Sequence, residues 1–122
     1  MGRVIHFEIT ADNPEEIGQF YREVFDWDIQ KWDGPVKYML VGTGADDEPG
    51  INGAIMGRNE MLPQTVNTIN VDSAQAAVER VKASGGDVLI EIRAVPGVGY
   101  HAYCADPDGN VFGVMEADEN AG

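Results

Sequence analysis

Residues 4–10 alternate: Ile5, Phe7 and Ile9 are apolar, while His6, Glu8 and Thr10 are polar. A two-residue period of this kind predicts a strand over Val4–Thr10 with one face buried. The period then lengthens. Ile17, Phe20, Tyr21, Val24 and Phe25 recur at helical spacing, behind Asn13 as N-cap, Pro14 at the first helical position and Glu16 two residues later. The stripe is expected to cover the apolar face of the first strand, with its aromatics in the core. Trp27–Trp32 and Tyr38–Thr43 read as strands joined by a turn at Asp33–Pro35, and Gly44–Gly50 as an acidic, glycine-bearing loop. Ile51–Arg58 reads as a fourth strand.

The pattern then begins again. Thr65–Asp72 predicts a strand, with Ile69 and Val71 on its apolar face. Asp72 or Ser73 caps a helix whose stripe is Ala74, Ala77, Val78 and Val81, and Gly85-Gly86 ends it. Asp87–Arg93, Gly99–Ala105 and Val111–Ala117 predict three more strands, the last two joined by a tight turn at Asp106-Pro-Asp-Gly109. Ile9 falls on Ile69 and Asp12 on Asp72, an offset of 60; Gly53-Ala54-Ile55 falls on Gly113-Val114-Met115 at the same offset. The chain is therefore expected to be one domain of two βαβββ modules, residues 3–58 and 65–118. A linker at 59–64 containing Pro63 joins them, and a solvated acidic tail follows at 119–122. Neither module can bury its sheet alone, so the two are expected to share a core.

Composition narrows the partners. A hydrophobic share of 43% with 24% charged residues is that of a folded chain rather than a disordered one. The net charge of −13 repels phosphate backbones and anionic lipid, which disfavours nucleic acid and membrane surfaces; it serves plain solubility or a salt-rich habitat, or else favours a cationic ligand. No apolar run is long enough for a membrane span, and the N-terminus lacks the apolar core of a signal peptide. A single cysteine, Cys104, excludes an internal disulfide and fits a cytoplasmic location; it is expected to be a buried apolar residue.

V-I-H-F-E-I at the first strand, F-Y-R-E-V-F-D-W in the first helix and D-P-D-G-N-V-F-G at the end together resemble the vicinal oxygen chelate superfamily. That superfamily includes glyoxalase I, extradiol dioxygenases and bleomycin-resistance proteins. The resemblance covers essentially the whole chain and implies an α+β fold, two tandem βαβββ modules forming curled mixed sheets around a concave cavity. It also implies, in catalytic members, a divalent metal held by one residue from the first and last strand of each module. The metal serves as a Lewis acid toward substrate oxygens. Carried over by position, the first ligand falls on His6, and its repeat partner falls on Val66. The last-strand positions fall on Gly53 and Gly113. Three of these four offer no side-chain donor, and a firmly held divalent ion needs at least three, so no metal or other cofactor is expected.

His6 and Glu8, two apart on one strand face and hence about 7 Å apart at Cβ, are the candidate catalytic pair; imidazole and carboxylate can orient a ligand hydroxyl or take its proton. Strand parity adds Tyr38, Asn52, Tyr100 and Met115 as candidate ligand contacts. Glu8 is expected to be solvated in an open cavity and His101 to be a rim or surface residue. Trp27 and Trp32 are expected to seal the core or a dimer surface. Three functions remain open: a metal-free glyoxalase-like protein that binds a small molecule; a metal-dependent lyase, isomerase or dioxygenase; and a bleomycin-resistance-type acidic dimer sequestering a cationic drug. A homodimer suits all three.

Overall fold

The computed structural model describes residues 2–33, 37–62 and 64–122. The Asp33–Pro35 turn lies largely, and Pro63 of the linker wholly, outside them. The fold is α+β, with strand and helix order β1 (Val4–Ala11), α1 (Pro14–Phe25), β2 (Asp28–Lys31), β3 (Tyr38–Gly42), β4 (Gly53–Gly57), β5 (Val66–Asn70), α2 (Ala74–Ala83), β6 (Asp87–Val95), β7 (Gly99–Ala105) and β8 (Val111–Ala117). Among the described residues no helix is long and apolar enough to cross a membrane. Two compact units divide the chain: His6–Val66, and Met1–Ile5 together with Asn67–Gly122.

In the first unit, Asn13 caps α1 by accepting the Glu16 N–H on its side chain at 3.3 Å, which satisfies one of the orphan donors of the first turn. Asp26, in the left-handed region at φ 58°, ends the helix, its N–H donating to the Arg22 carbonyl. The strands run β2–β3–β4 antiparallel, and β1 lies parallel to β4. The core beneath α1 is Ala11, Ile29, Met39, Val41 and Ile55, with Phe7, Ile9, Ile17, Tyr21 and Trp27 packed on it. The apolar stripe of α1 is thus only partly in the core. Ile17 and Tyr21 cover the sheet, whereas Phe20, Val24 and Phe25 stay 54%, 53% and 58% exposed. The helix rests on the ridge that carries Pro14 and Gly18, both buried, which turns the neighbouring ridge outward. Tyr21 and Trp27 stack at 4.7 Å, closing that end of the core.

In the second unit, Ser73 is the cap of α2, accepting the Ala76 N–H at 3.1 Å. The sheet order is β5–β8–β7–β6, with β5 parallel to β8 and the other pairs antiparallel. Val78, Ala102, Cys104 and Val114 form the core, with Ala77 and Val81 of α2 against it. Asp106 ties the β7–β8 turn, its carboxylate accepting the Asn110 side chain and the N–H groups of Asp108 and Asn110 at 2.9–3.0 Å. These bonds, that from the Asn110 side chain foremost, hold its carboxyl below the usual carboxylate range. The C-terminal tail is not simply solvated. Ala121 is 6% exposed and its carbonyl accepts the Gly97 N–H, while Asp118 donates to the Val98 carbonyl, so the tail satisfies the β6–β7 turn.

Cys104 is fully buried. Burial foremost, and then the Glu91 charge, raises its thiol above the ordinary value, with Lys82 partly opposing. In native buffer at pH 8 a thiol reagent is expected to leave Cys104 unmodified and to label it only as denaturant unfolds the chain; stoichiometric labelling of the native protein would place the thiol at the surface.

Candidate functional site

The first-unit sheet sorts its side chains by parity. Phe7, Ile9, Ile29, Met39, Val41 and Ile55 face α1, so the intervening His6, Glu8, Thr10, Tyr38 and Leu40 face the other way. On that face three polar side chains meet. The Tyr38 hydroxyl donates to a Glu8 carboxylate oxygen at 2.7 Å, and His6 Nε2 lies 2.9 Å from the same hydroxyl oxygen. Because the hydroxyl proton is committed to Glu8, His6 must donate from Nε2–H, which leaves Nδ1 as the basic nitrogen when the ring is neutral. Trp32 packs edge-on to Tyr38 at 5.7 Å and helps fix the phenol.

Glu8 is not solvated, contrary to the sequence expectation. It is 4% exposed, and the Tyr38 hydroxyl reaches it from β3 to donate. A buried carboxylate requires such a donor. Burial of His6 lowers its basicity from the ordinary histidine value near 6.5, the Glu8 charge opposing. The unfolded state therefore binds this proton more tightly than the folded state. Stability linked to His6 is complete above pH about 6.5 and declines as pH falls from there toward the lower folded value. Melting temperatures between pH 7.5 and 5 are expected to fall more steeply in the native protein than in His6→Gln; parallel curves would contradict this.

Beside His6 is a cavity of about 380 Å³ contained within the first unit. Its polar wall is His6, Asp28, Gln30 and Asn52, and Leu40 contributes apolar surface. Gln30 donates to both Asp28 oxygens at 3.3 Å. Asn52 accepts the Thr43 N–H at 2.9 Å, which fixes the loop end at the cavity mouth. The structure thus brings His6, Glu8, Tyr38 and Asn52 together. Asp28 and Gln30 escaped the sequence reading, although the signal was available: they flank Ile29, the apolar residue of their strand.

Tyr100 and Met115 belong to the second unit. Tyr100 alternates onto the face of Ala102 and Cys104, the one covered by α2, opposite Glu116, whose carboxylate accepts the Ala74 N–H. Met115 pairs with His101 across β7–β8 and shares the other face. His101 is not a rim residue: it is 5% exposed, packed edge-on against Tyr103 at 4.4 Å, with the Arg93 guanidinium over the Tyr103 ring at 5.5 Å.

The residues at the superfamily's metal positions do not fit a metal ion. The uniform offset of 60 also fails at the last strands. Glu8 pairs with Ala54 and Thr68 with Gly113, so Ala54 is the counterpart of Gly113, and Gly53 faces α1. The positions become His6, Ala54, Val66 and Gly113, with one donor among them. No larger side chain fits at Gly113 as the site stands, because a Cβ there would lie 2.7 Å from His101 Nε2. Among the described residues no three His, Cys, Asp or Glu side chains are grouped as metal ligands would be.

A βαβββ unit repeated with parallel outer pairing, β1 on β4 and β5 on β8, is the architecture of the vicinal oxygen chelate superfamily. Within it, the chain belongs to the glyoxalase-like domain family, which it matches over residues 6–115. Solved structures share the fold at low identity. A hypothetical protein from Bacillus halodurans is 15% identical at a TM-score of 0.72, covering 99% of this chain and 98% of its own. Methylmalonyl-CoA epimerase from Mycobacterium tuberculosis is 11% identical at 0.70, covering 94% and 87%. A Streptomyces coelicolor methylmalonyl-CoA epimerase variant, in complex with 2-nitronate-propionyl-CoA, is 12% identical at 0.72, covering 98% and 97%. No curated protein matches in sequence.

Proposed function

We propose that the protein is a glyoxalase-like binding protein for a small organic molecule, seated in the first-unit cavity against His6 and independent of the superfamily's metal centre. The observation that carries this reading is His6 at the wall of the cavity, backed by the hydrogen-bond chain through Tyr38 to Glu8. A pocket of a few hundred Å³ with a few convergent polar groups is the usual form of a small-molecule site. The imidazole supplies a hydrogen-bonding group there, and Tyr38 and Glu8 fix its tautomer.

The same chain favours a second reading, an isomerase or lyase of the proton-transfer type. A proton taken by His6 Nδ1 would give an imidazolium whose Nε2–H already points at Tyr38, with the Glu8 charge beyond it offsetting part of the cost of burying the charge. The epimerases' own ligands are a poor guide to the substrate. A CoA ester is polyanionic, whereas among the described residues lining this cavity the one formal charge is that of Asp28.

Titrating a library of small carbonyl, hydroxyl and amine fragments into protein carrying ¹⁵N-histidine tests the reading. Binders are expected to shift the His6 ring resonances and to lose affinity in His6→Gln. Binders that leave His6 unmoved and bind His6→Gln equally well would locate the site elsewhere.

A further inference from the structure

We propose that the ligand of the first-unit cavity is a small organic cation, a protonated amine or a quaternary ammonium held by Asp28. This rests on the cavity being the binding site and adds the class of molecule it takes. Among the described residues the lining has one formal charge, the Asp28 carboxylate, and Gln30 braces that carboxylate by donating to both of its oxygens. The other polar walls, Asn52 and the imidazole of His6, contribute no positive charge while the ring is neutral, and Leu40 offers apolar surface to a hydrocarbon body.

The basic residues of this unit are all directed elsewhere. Arg22 donates to the Ile29 carbonyl at 2.6 Å, Lys37 pairs with Glu15 at 3.4 Å and Arg58 with Asp12 at 3.4 Å. Lys31 follows Gln30 on β2 and so alternates to the opposite face. Next to the cavity, and sharing Asn52 with it, a smaller one of about 140 Å³ is lined by Asp46 and Glu48. An anion entering here meets like charge at the wall and in the neighbouring cavity, and among the described residues no guanidinium or ammonium lines it. A cation meets a carboxylate whose donors leave part of its acceptor capacity open.

The test uses three compounds of one shape and different charge: 4-phenylbutylamine, 4-phenylbutanol and 4-phenylbutyrate. Each is titrated into the full chain while the Asn52 and Gln30 side-chain amides and the Gly42 backbone amide are followed by NMR. The amine is expected to bind roughly fivefold more tightly than the alcohol, as one solvent-accessible ion pair allows, and the carboxylate more weakly than either. Raising salt from about 0.05 to about 0.5 M should erase most of the amine's advantage. Asp28→Asn should bring amine and alcohol level, and Asp28→Lys should favour the carboxylate; Asp28 is exposed, so both variants are expected to fold. Equal binding of all three compounds, or a preference for the carboxylate in the native protein, overturns the proposal and leaves the cavity as the site. Compounds that bind without moving the cavity amides overturn the site and the proposal together.

Discussion

Gly53→Ala is expected to destabilise the protein by about 3 kcal/mol, and Gly113→Ala by only about 1–2 kcal/mol, although both are buried glycines on the last strand of a module. At Gly53 the new Cβ would collide with the backbone carbonyl oxygen of Phe7 and lie 2.6 Å from its ring. That carbonyl belongs to the strand paired with β4 in parallel, so it cannot move without disturbing the ladder, and the ring is packed on the α1 core. At Gly113 the obstacles are side-chain ends, His101 Nε2 at 2.7 Å and Thr68 Oγ1 at 3.1 Å, which can swing at some cost in a buried setting. Urea denaturation of the two variants measures the difference. A near-neutral Gly53→Ala would mean that Gly53 does not face α1, and the counterpart of Gly113 would then be Gly53 rather than Ala54.

Tyr38→Phe is expected to cost about 2 kcal/mol, on the order of what buried polar groups lose when a partner is removed. The phenol ring and its edge contact with Trp32 are kept, so packing is nearly unchanged. The change removes the donor to a 4%-exposed Glu8 carboxylate and the acceptor for His6 Nε2–H together. Glu8→Gln, which leaves the Tyr38 hydroxyl an amide oxygen to donate to, should cost less. Equal stability of Tyr38→Phe and the native protein would show that the hydroxyl bonds little in solution.

Much of the fold was legible because its signals are local. Asn13, Pro14 and Glu16 fix the start of α1 through backbone donors within one turn, and Asp106-Pro-Asp-Gly109 closes a turn through its own side chain. β7 and β8 span the residues that the sequence predicts for them. The repeat offset was legible at β1 and β5 and misled at β4 and β8. A residue-by-residue offset cannot register the one-residue slip that pairs Glu8 with Ala54 but Thr68 with Gly113, and with period 2 that slip exchanges faces. The site was half legible. His6 and Glu8 followed from alternation on one strand. The donor that serves the buried Glu8 is Tyr38, 30 residues away on β3, and His101 is buried among side chains of neighbouring strands in the second unit. Phe20, Val24 and Phe25 show the same limit: helical spacing identifies a stripe, and the ridge on which the helix settles decides how much of it is covered.

The imidazole state of His6 decides between a hydrogen-bonding group and a metal ligand. Long-range ¹H–¹⁵N correlation spectra at pH 7, recorded before and after one equivalent of Zn²⁺ is added, report which ring nitrogen carries the proton and whether either binds metal. The chain His6–Tyr38–Glu8 predicts a neutral ring protonated at Nε2, with resonances that Zn²⁺ leaves in place and Tyr38→Phe displaces. A ring protonated at Nδ1 would contradict the hydrogen-bond chain, and an Nε2 that shifts stoichiometrically with Zn²⁺ would show that His6 serves as a metal ligand.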